Sequence, residues 1–242
     1  MTEALLQEVL KLYGVSPEEA AARLALALPW DLGVKVEFRE MEPELHLALS
    51  TGEENGKRLQ EAVAAAKEAL APHIFASGSG TMEETVANLF RCTGATLSLA
   101  ESCTGGMIAA RITEVAGSSA WFLEGIVSYS NAAKSRLLSV PATLIEKHGA
   151  VSEEVAVAMA QGARDGAGSD LALAVTGIAG PEGGSPQKPV GTVYIAVANR
   201  EGCHAQRHLF RGDRQRVREL TVFAAFDWLR RDLLTMADTC RG

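Results

Sequence analysis

Cysteine is scarce and unpatterned here: the four residues Cys92, Cys103, Cys203 and Cys240 include no Cys-x-x-Cys pair. That spacing excludes a zinc ribbon or a thioredoxin-like redox pair and leaves free thiols as the simplest state. The five histidines show no His-x-x-x-His or related arrangement, so no metal is expected. Basic residues are also in deficit, 23 Lys and Arg against 30 Asp and Glu. A net charge of -7 argues against holding a nucleic-acid backbone non-specifically. No run approaches the roughly 18–20 apolar residues needed to cross a bilayer. The first eight residues lack the basic start and apolar core of a secretory signal. The expectation is a cytoplasmic protein with no membrane and no nucleic-acid partner.

What the chain does have is 47% apolar residues in 242, enough for a substantial core. Residues 1–75 read as a small α+β unit. Residues 6–13 fit a strand or a short helix equally well. Ser16 as N-cap and Pro17 at the first helical position start a helix that runs to about Leu28. Residues 33–39 and 44–49 alternate apolar and polar side chains, as half-buried strands do. A long amphipathic helix follows from about Asn55 to Leu70. The small-residue stretch around 76–81 reads as a linker, with Thr81 capping a helix through Phe90.

Residues 82–242 then alternate strands and helices. Strands are expected at 95–100, 123–129 and 170–175, and helices at 105–115, 132–138 and 152–163. Two strands, 191–198 and 204–211, form a hairpin around Arg200-Glu201-Gly202, and Asp213 opens a last helix to about Leu234. This order implies α/β architecture, a three-layer α/β/α domain preceded by the small α+β domain.

Four stretches could carry chemistry. Ser102 lies where an apolar strand breaks at Glu101-Ser102-Cys103-Thr104-Gly105-Gly106, a corner that can project its hydroxyl beside exposed N–H groups. The plain alternative is a helix N-cap. Cys103 follows at a helix start that could lower its pKa, but adjacent residues on a tight turn point in different directions. Lys134 falls in the first turn of a helix with Asn131 as its apparent N-cap. A cation is disfavoured there by the helix dipole, so it is either solvated or held partly neutral as a base. Tyr129, at the end of the preceding strand, could hydrogen-bond to either group. Residues 175–184 follow a buried strand where ligands bind in open α/β sheets, without a phosphate-loop or dinucleotide pattern. Arg211-Gly212-Asp213-Arg214-Gln215-Arg216-Val217-Arg218 concentrates guanidinium groups suited to an anion, or to a solvated helix face.

Taken together, Ala100–Gly106, Ala116–Phe122, Tyr129–Lys134, Gly149–Glu154, Thr176–Pro181 and Lys188–Tyr194 resemble the C-terminal amidase domain of the CinA (competence/damage-inducible) family. Residues 1–75 are similar to the small middle domain of its longer members. The resemblance implies hydrolysis of nicotinamide mononucleotide to nicotinic acid mononucleotide and ammonia, in pyridine nucleotide salvage. It implies Ser102 as nucleophile, Lys134 as base and Tyr129 in the same hydrogen-bond network, with no cofactor. Thr104, Gly105 and Gly106 would then hold an oxyanion or a phosphate, and Thr176, Gly177 and Arg216 would line the substrate, Arg216 as the anion contact. A homo-oligomer is implied too, with Trp121-Phe122 as a candidate contact. The competing expectation is a non-catalytic nucleotide-binding or protein-interaction module. A KH-type role for residues 1–75 is disfavoured by the absence of a Gly-x-x-Gly loop. The longer members' separate nucleotide-pyrophosphatase activity is not expected of these residues.

Overall fold

Alternation of leucine with polar residues sets the first sheet. The structure is a computed structural model and describes residues 5–28 and 33–239; Cys240 lies outside them. The chain divides into two compact units, Met1–Thr85 and Val86–Gly242.

In the first unit the elements run β1 (Leu5–Leu12), α1 (Pro17–Ala27), β2 (Lys35–Met41), β3 (Glu44–Gly52), α2 (Gly56–Ala69) and β4 (Ile74–Ser77). The strands lie in the order β2-β3-β1-β4, every neighbouring pair antiparallel. Leu10 and Leu12 of β1 stand opposite Leu47 and Leu45 of β3. With Leu49 they pack on Ala20 and Leu24 of α1 and Leu59, Ala62 and Ala66 of α2. This is the βαββαβ pattern of ferredoxin-like folds, not a KH arrangement. Pairing with β3 decides the ambiguous segment 6–13 in favour of a strand. The stretch read as a linker begins inside β4, because Ala76 and Ser77 pair with Lys11 and Leu10.

Helix α3 (Met82–Thr93) begins in the first unit and continues into the second, which then holds β5 (Leu97–Glu101), α4 (Met107–Thr113), β6 (Phe122–Val127), α5 (Asn131–Leu138), α6 (Ala142–His148), α7 (Glu153–Ala167), β7 (Leu171–Gly177), β8 (Thr192–Ala198), β9 (Cys203–Leu209) and α8 (Arg214–Thr239). Its sheet runs β6-β5-β7-β8-β9. The first three strands are parallel and the last two antiparallel. Ala100, Ala172, Ala174, Ala196 and Ala198 form one buried face against Ala156, Met159, Ala160 and Ala163 of α7. Small residues on both sides let the helix approach closely, and at Gly162 any Cβ would collide with the Leu138 carbonyl at the end of α5. The intervening larger residues, Leu99, Leu173 and Ile195, are also fully buried. They point to the other face, where α8 packs on β7 and β8 and against α4. The result is an α/β/α sandwich.

Two expectations change here. Helix α4 begins at Met107 rather than Gly105, because Gly105 and Gly106 have φ of 62° and 94° and cannot continue a right-handed helix. Trp121 is buried and stacks on Phe90 with ring centroids 4.5 Å apart, so its ring is part of the core and not an outward contact.

The connection after β5 leads to β6 on one side, whereas the one after β7 leads to β8 on the other. A crevice opens at such a reversal, beyond the carboxyl ends of the two strands. Ser102 follows β5 and Thr176-Gly177 ends β7.

Candidate active site

Glu101, the last residue of β5, shapes the corner. It is buried, and its carboxylate accepts from the N–H groups of Gly106 (2.9 Å), Ile108 (3.2 Å) and Ala109 (2.9 Å). Met107 N–H is directed to the Thr104 carbonyl at 3.4 Å and Gly105 N–H to the Ser102 carbonyl at 3.1 Å. The first turn of α4 is therefore satisfied from within, leaving none of these amides for a bound anion. Ser102 is tied to the neighbouring strand through its own N–H and the Val175 carbonyl, 3.1 Å.

Lys134 reaches the same point from α5. The N-cap of that helix is Ser130, whose hydroxyl accepts from Ala133 N–H at 3.1 Å; Asn131 is the first helical residue. Lys134 thus keeps its expected place in the first turn, with its side chain turned inward and only 1% exposed. Its Nζ lies 2.9 Å from the Ser102 hydroxyl oxygen and donates to the Ser128 carbonyl at 2.7 Å. Burial pushes its pKa below the ordinary lysine value. A neutral amine here can donate to Ser128 and accept the Ser102 proton through its lone pair.

Ser102, Cys103 and Lys134 form the floor of a cavity of about 180 Å³. Ala150 and Val151 provide one wall, and the Thr176 hydroxyl fixes that wall by donating to the Ala150 carbonyl at 2.8 Å. Gly177, the last residue of β7, also lines the cavity, and a Cβ there would meet Val193 at 2.7 Å. Ala179, Tyr129 and Arg214 complete the lining, the last two exposed.

Several expected site residues stand elsewhere. Thr104, Gly105 and Gly106 do not line this cavity. Thr104 is fully buried and its carbonyl accepts from Arg218 at 2.7 Å. The Tyr129 hydroxyl accepts from Arg214 at 2.9 Å rather than bonding to Ser102 or Lys134. The guanidinium in the lining belongs to Arg214, which also donates to the Gly180 carbonyl at 2.9 Å. Arg216 lies 3.9 Å from Glu219 along α8 and is absent from the lining. Both Ser102 and Cys103 line the cavity, contrary to the expectation that only one could. Their chemistry differs: burial, with a smaller contribution from the Glu101 charge, pushes the Cys103 thiol up to about 12. It stays a thiol at neutral pH.

Sequence reasoning missed Arg214 and Glu101. A carboxylate just ahead of a helix start was the available signal for Glu101. Nothing in the sequence separates Arg214 from Arg216. Among the described residues no group of His, Cys, Asp and Glu could hold a metal ion, and no helix is long and apolar enough to cross a membrane.

A family model described as the CinA C-terminal domain matches residues 79–233, a span that contains the whole cavity lining. The chain is 54% identical over 230 residues to a CinA-like protein of Citrifermentans bemidjiense, covering 95% of this chain and 56% of that one. It is 51% identical over 231 residues to a CinA-like protein of Geobacter sulfurreducens, covering 94% and 56%. It therefore spans little more than half the length of these curated relatives. Among solved structures, the competence/damage inducible protein CihA from Agrobacterium tumefaciens is 42% identical with a TM-score of 0.59, over 62% of this chain and 94% of that one. A CinA superfamily protein from Klebsiella pneumoniae is 37% identical with a TM-score of 0.62, over 64% and 99%. By its sequence and by the fold of its second unit, this chain belongs to the CinA family.

Proposed function

We propose that the protein hydrolyses the carboxamide of nicotinamide mononucleotide, releasing ammonia and nicotinic acid mononucleotide. The observation that carries this reading is the buried Lys134 amine 2.9 Å from the Ser102 hydroxyl. A serine is a weak nucleophile until a base takes its proton, and a desolvated lysine can be that base. As Ser102 Oγ bonds to the carboxamide carbon, its proton passes to Lys134 Nζ. The ammonium then protonates the departing nitrogen, which leaves as ammonia. Water, deprotonated by the same amine, cleaves the acyl ester and restores Ser102. The scheme needs neither metal nor organic cofactor.

Among the described residues the Cys103 N–H makes no backbone hydrogen bond, and Cys103 lines the cavity. That N–H is the donor left for the developing oxyanion, since those of Gly105 and Gly106 are engaged and Thr104 stands outside the lining. A cavity of about 180 Å³ is smaller than the ~300–1,000 Å³ of typical ligand pockets. It suits the reacting ring and carboxamide, with the phosphate outside near the exposed Arg214 guanidinium. Thr176 and Gly177 line the cavity beside the ring. On this reading the chain acts in pyridine nucleotide salvage, in the cytoplasm and as a homo-oligomer, as its resemblance implies.

Ammonia release from nicotinamide mononucleotide by the purified protein is the test, alongside Ser102→Ala. The reading predicts steady release that the substitution abolishes while the fold survives. No release by the unmodified protein would leave the non-catalytic module as the better account.

A further inference from the structure

A helix start beside a cysteine normally makes a reactive thiolate, and it also offers amides to any anion that arrives. Neither holds at this corner: burial keeps the thiol protonated, helped by the Glu101 charge, and the Glu101 carboxylate occupies the amides. Its carboxylate sits inside the protein, only 1% exposed. It takes the N–H groups of Gly106, Ile108 and Ala109, so the positive end of α4 already faces a full negative charge. The Glu101 backbone is fixed as well, its carbonyl accepting from Ser128 N–H at 2.8 Å. Ser128 in turn holds Lys134 through its own carbonyl, 2.7 Å away. One residue thus connects the α4 start, the Ser102 corner and the segment that anchors the amine.

We propose that Glu101 is a positioning residue that makes Ser102, and not Cys103, the nucleophile of this site. Its carboxylate locks the turn that aims the Ser102 hydroxyl at Lys134, and its charge adds to the burial that keeps the adjacent thiol protonated. The positioning half rests on the amidase reading; the thiol half does not. Other charges face Cys103 too. Lys134 of α5 favours the thiolate, and Arg214 of α8 lines the same cavity. Arg218 of α8 bonds to the neighbouring Thr104 carbonyl. Against these cations, the Glu101 carboxylate raises the thiol pKa, second to burial.

The test uses full-length protein with Cys92, Cys203 and Cys240 replaced by serine, so that iodoacetamide reports Cys103 alone. In this background Cys103 should show no titration below about pH 10, well above an ordinary thiol. Glu101→Gln removes the charge and places an NH₂ group against helix amides. Its Cys103 midpoint should fall, with alkylation at pH 8 about tenfold faster for each unit of decrease. Glu101→Asp keeps the charge on a shorter stem and should leave Cys103 silent. A loosened turn alone would change the rate equally at every pH without moving the midpoint. With nicotinamide mononucleotide, Glu101→Gln should lose kcat and keep KM. An ordinary thiol titration in the Glu101-containing parent overturns the proposal even if Glu101→Gln does not fold. So does an unmoved midpoint in Glu101→Gln. An unmoved kcat beside a shifted midpoint overturns the positioning half, and no amidase activity in any variant counts against the amidase reading alone.

Discussion

Replacing Lys134 by Met keeps the length and apolar stem of the side chain and deletes one amine that is 1% exposed. Two opposing effects follow. Met leaves the Ser128 carbonyl without its 2.7 Å donor, which costs about 1–3 kcal/mol for a buried acceptor. Met also relieves the fold of an amine whose charged form burial disfavours. That relief depends on pH. Below the lowered native pKa, folded and unfolded chains both hold the proton, and the penalty against wild type is complete. Between that pKa and the ordinary value of 10.5 the unfolded chain holds a proton that the folded chain lacks. Unfolding then takes up a proton, and wild-type stability rises with pH by about 1.4 kcal/mol per unit. Above 10.5 the penalty is gone and only the lost hydrogen bonds to Ser128 and Ser102 separate the proteins. Urea unfolding of both across neutral to alkaline pH measures the difference directly. Wild type should gain on Lys134→Met as pH rises and lead by about 1–3 kcal/mol at the alkaline end. A difference that stays flat through this range would refute a desolvated amine at the site. Activity should fall by about 10²–10⁴-fold, the usual loss of a general base. Wild-type kcat/KM should rise with pH through the same lowered pKa.

Other outcomes follow from the same geometry. Cys103→Ala should retain most amidase activity, because the thiol pushed up to about 12 contributes no thiolate; steady-state ammonia release checks this. Arg214→Ala should raise KM for nicotinamide mononucleotide and leave nicotinamide riboside, which lacks the phosphate, much less affected. Arg216→Ala, outside the cavity lining, should change neither. Gly162→Ala should destabilise the second unit by about 1–3 kcal/mol, because its Cβ meets the Leu138 carbonyl and α7 must move off the sheet; thermal unfolding measures it.

Much of the fold is legible where local and global signals agree. Ser152 before an alanine-rich segment and Asp213 before the last helix cap as their chemistry predicts, accepting from Val155 and Arg216 N–H. The hairpin around Arg200 forms where its turn residues indicate. What was not legible depended on partners distant in sequence. Strand β4 is four residues long beside Gly78 and Gly80, and only β1 makes it a strand. The short helix α6 carries too little periodicity to stand out. In the site, Ser102 and Lys134 can each be picked out locally, but their meeting across 32 positions is a property of the sheet order. Arg214 and Arg216 look alike in the chain, and one step of helix geometry sends only the first into the cavity. Tyr129 lines the same cavity as the pair but bonds to Arg214.

The most direct measurement is mass spectrometry of the protein quenched during turnover of nicotinamide mononucleotide. Activation of one hydroxyl by one buried amine predicts a nicotinoyl adduct on the peptide bearing Ser102, absent from Ser102→Ala and preserved in Cys103→Ala. An adduct on Cys103, or ammonia released undiminished by Ser102→Ala, would contradict it.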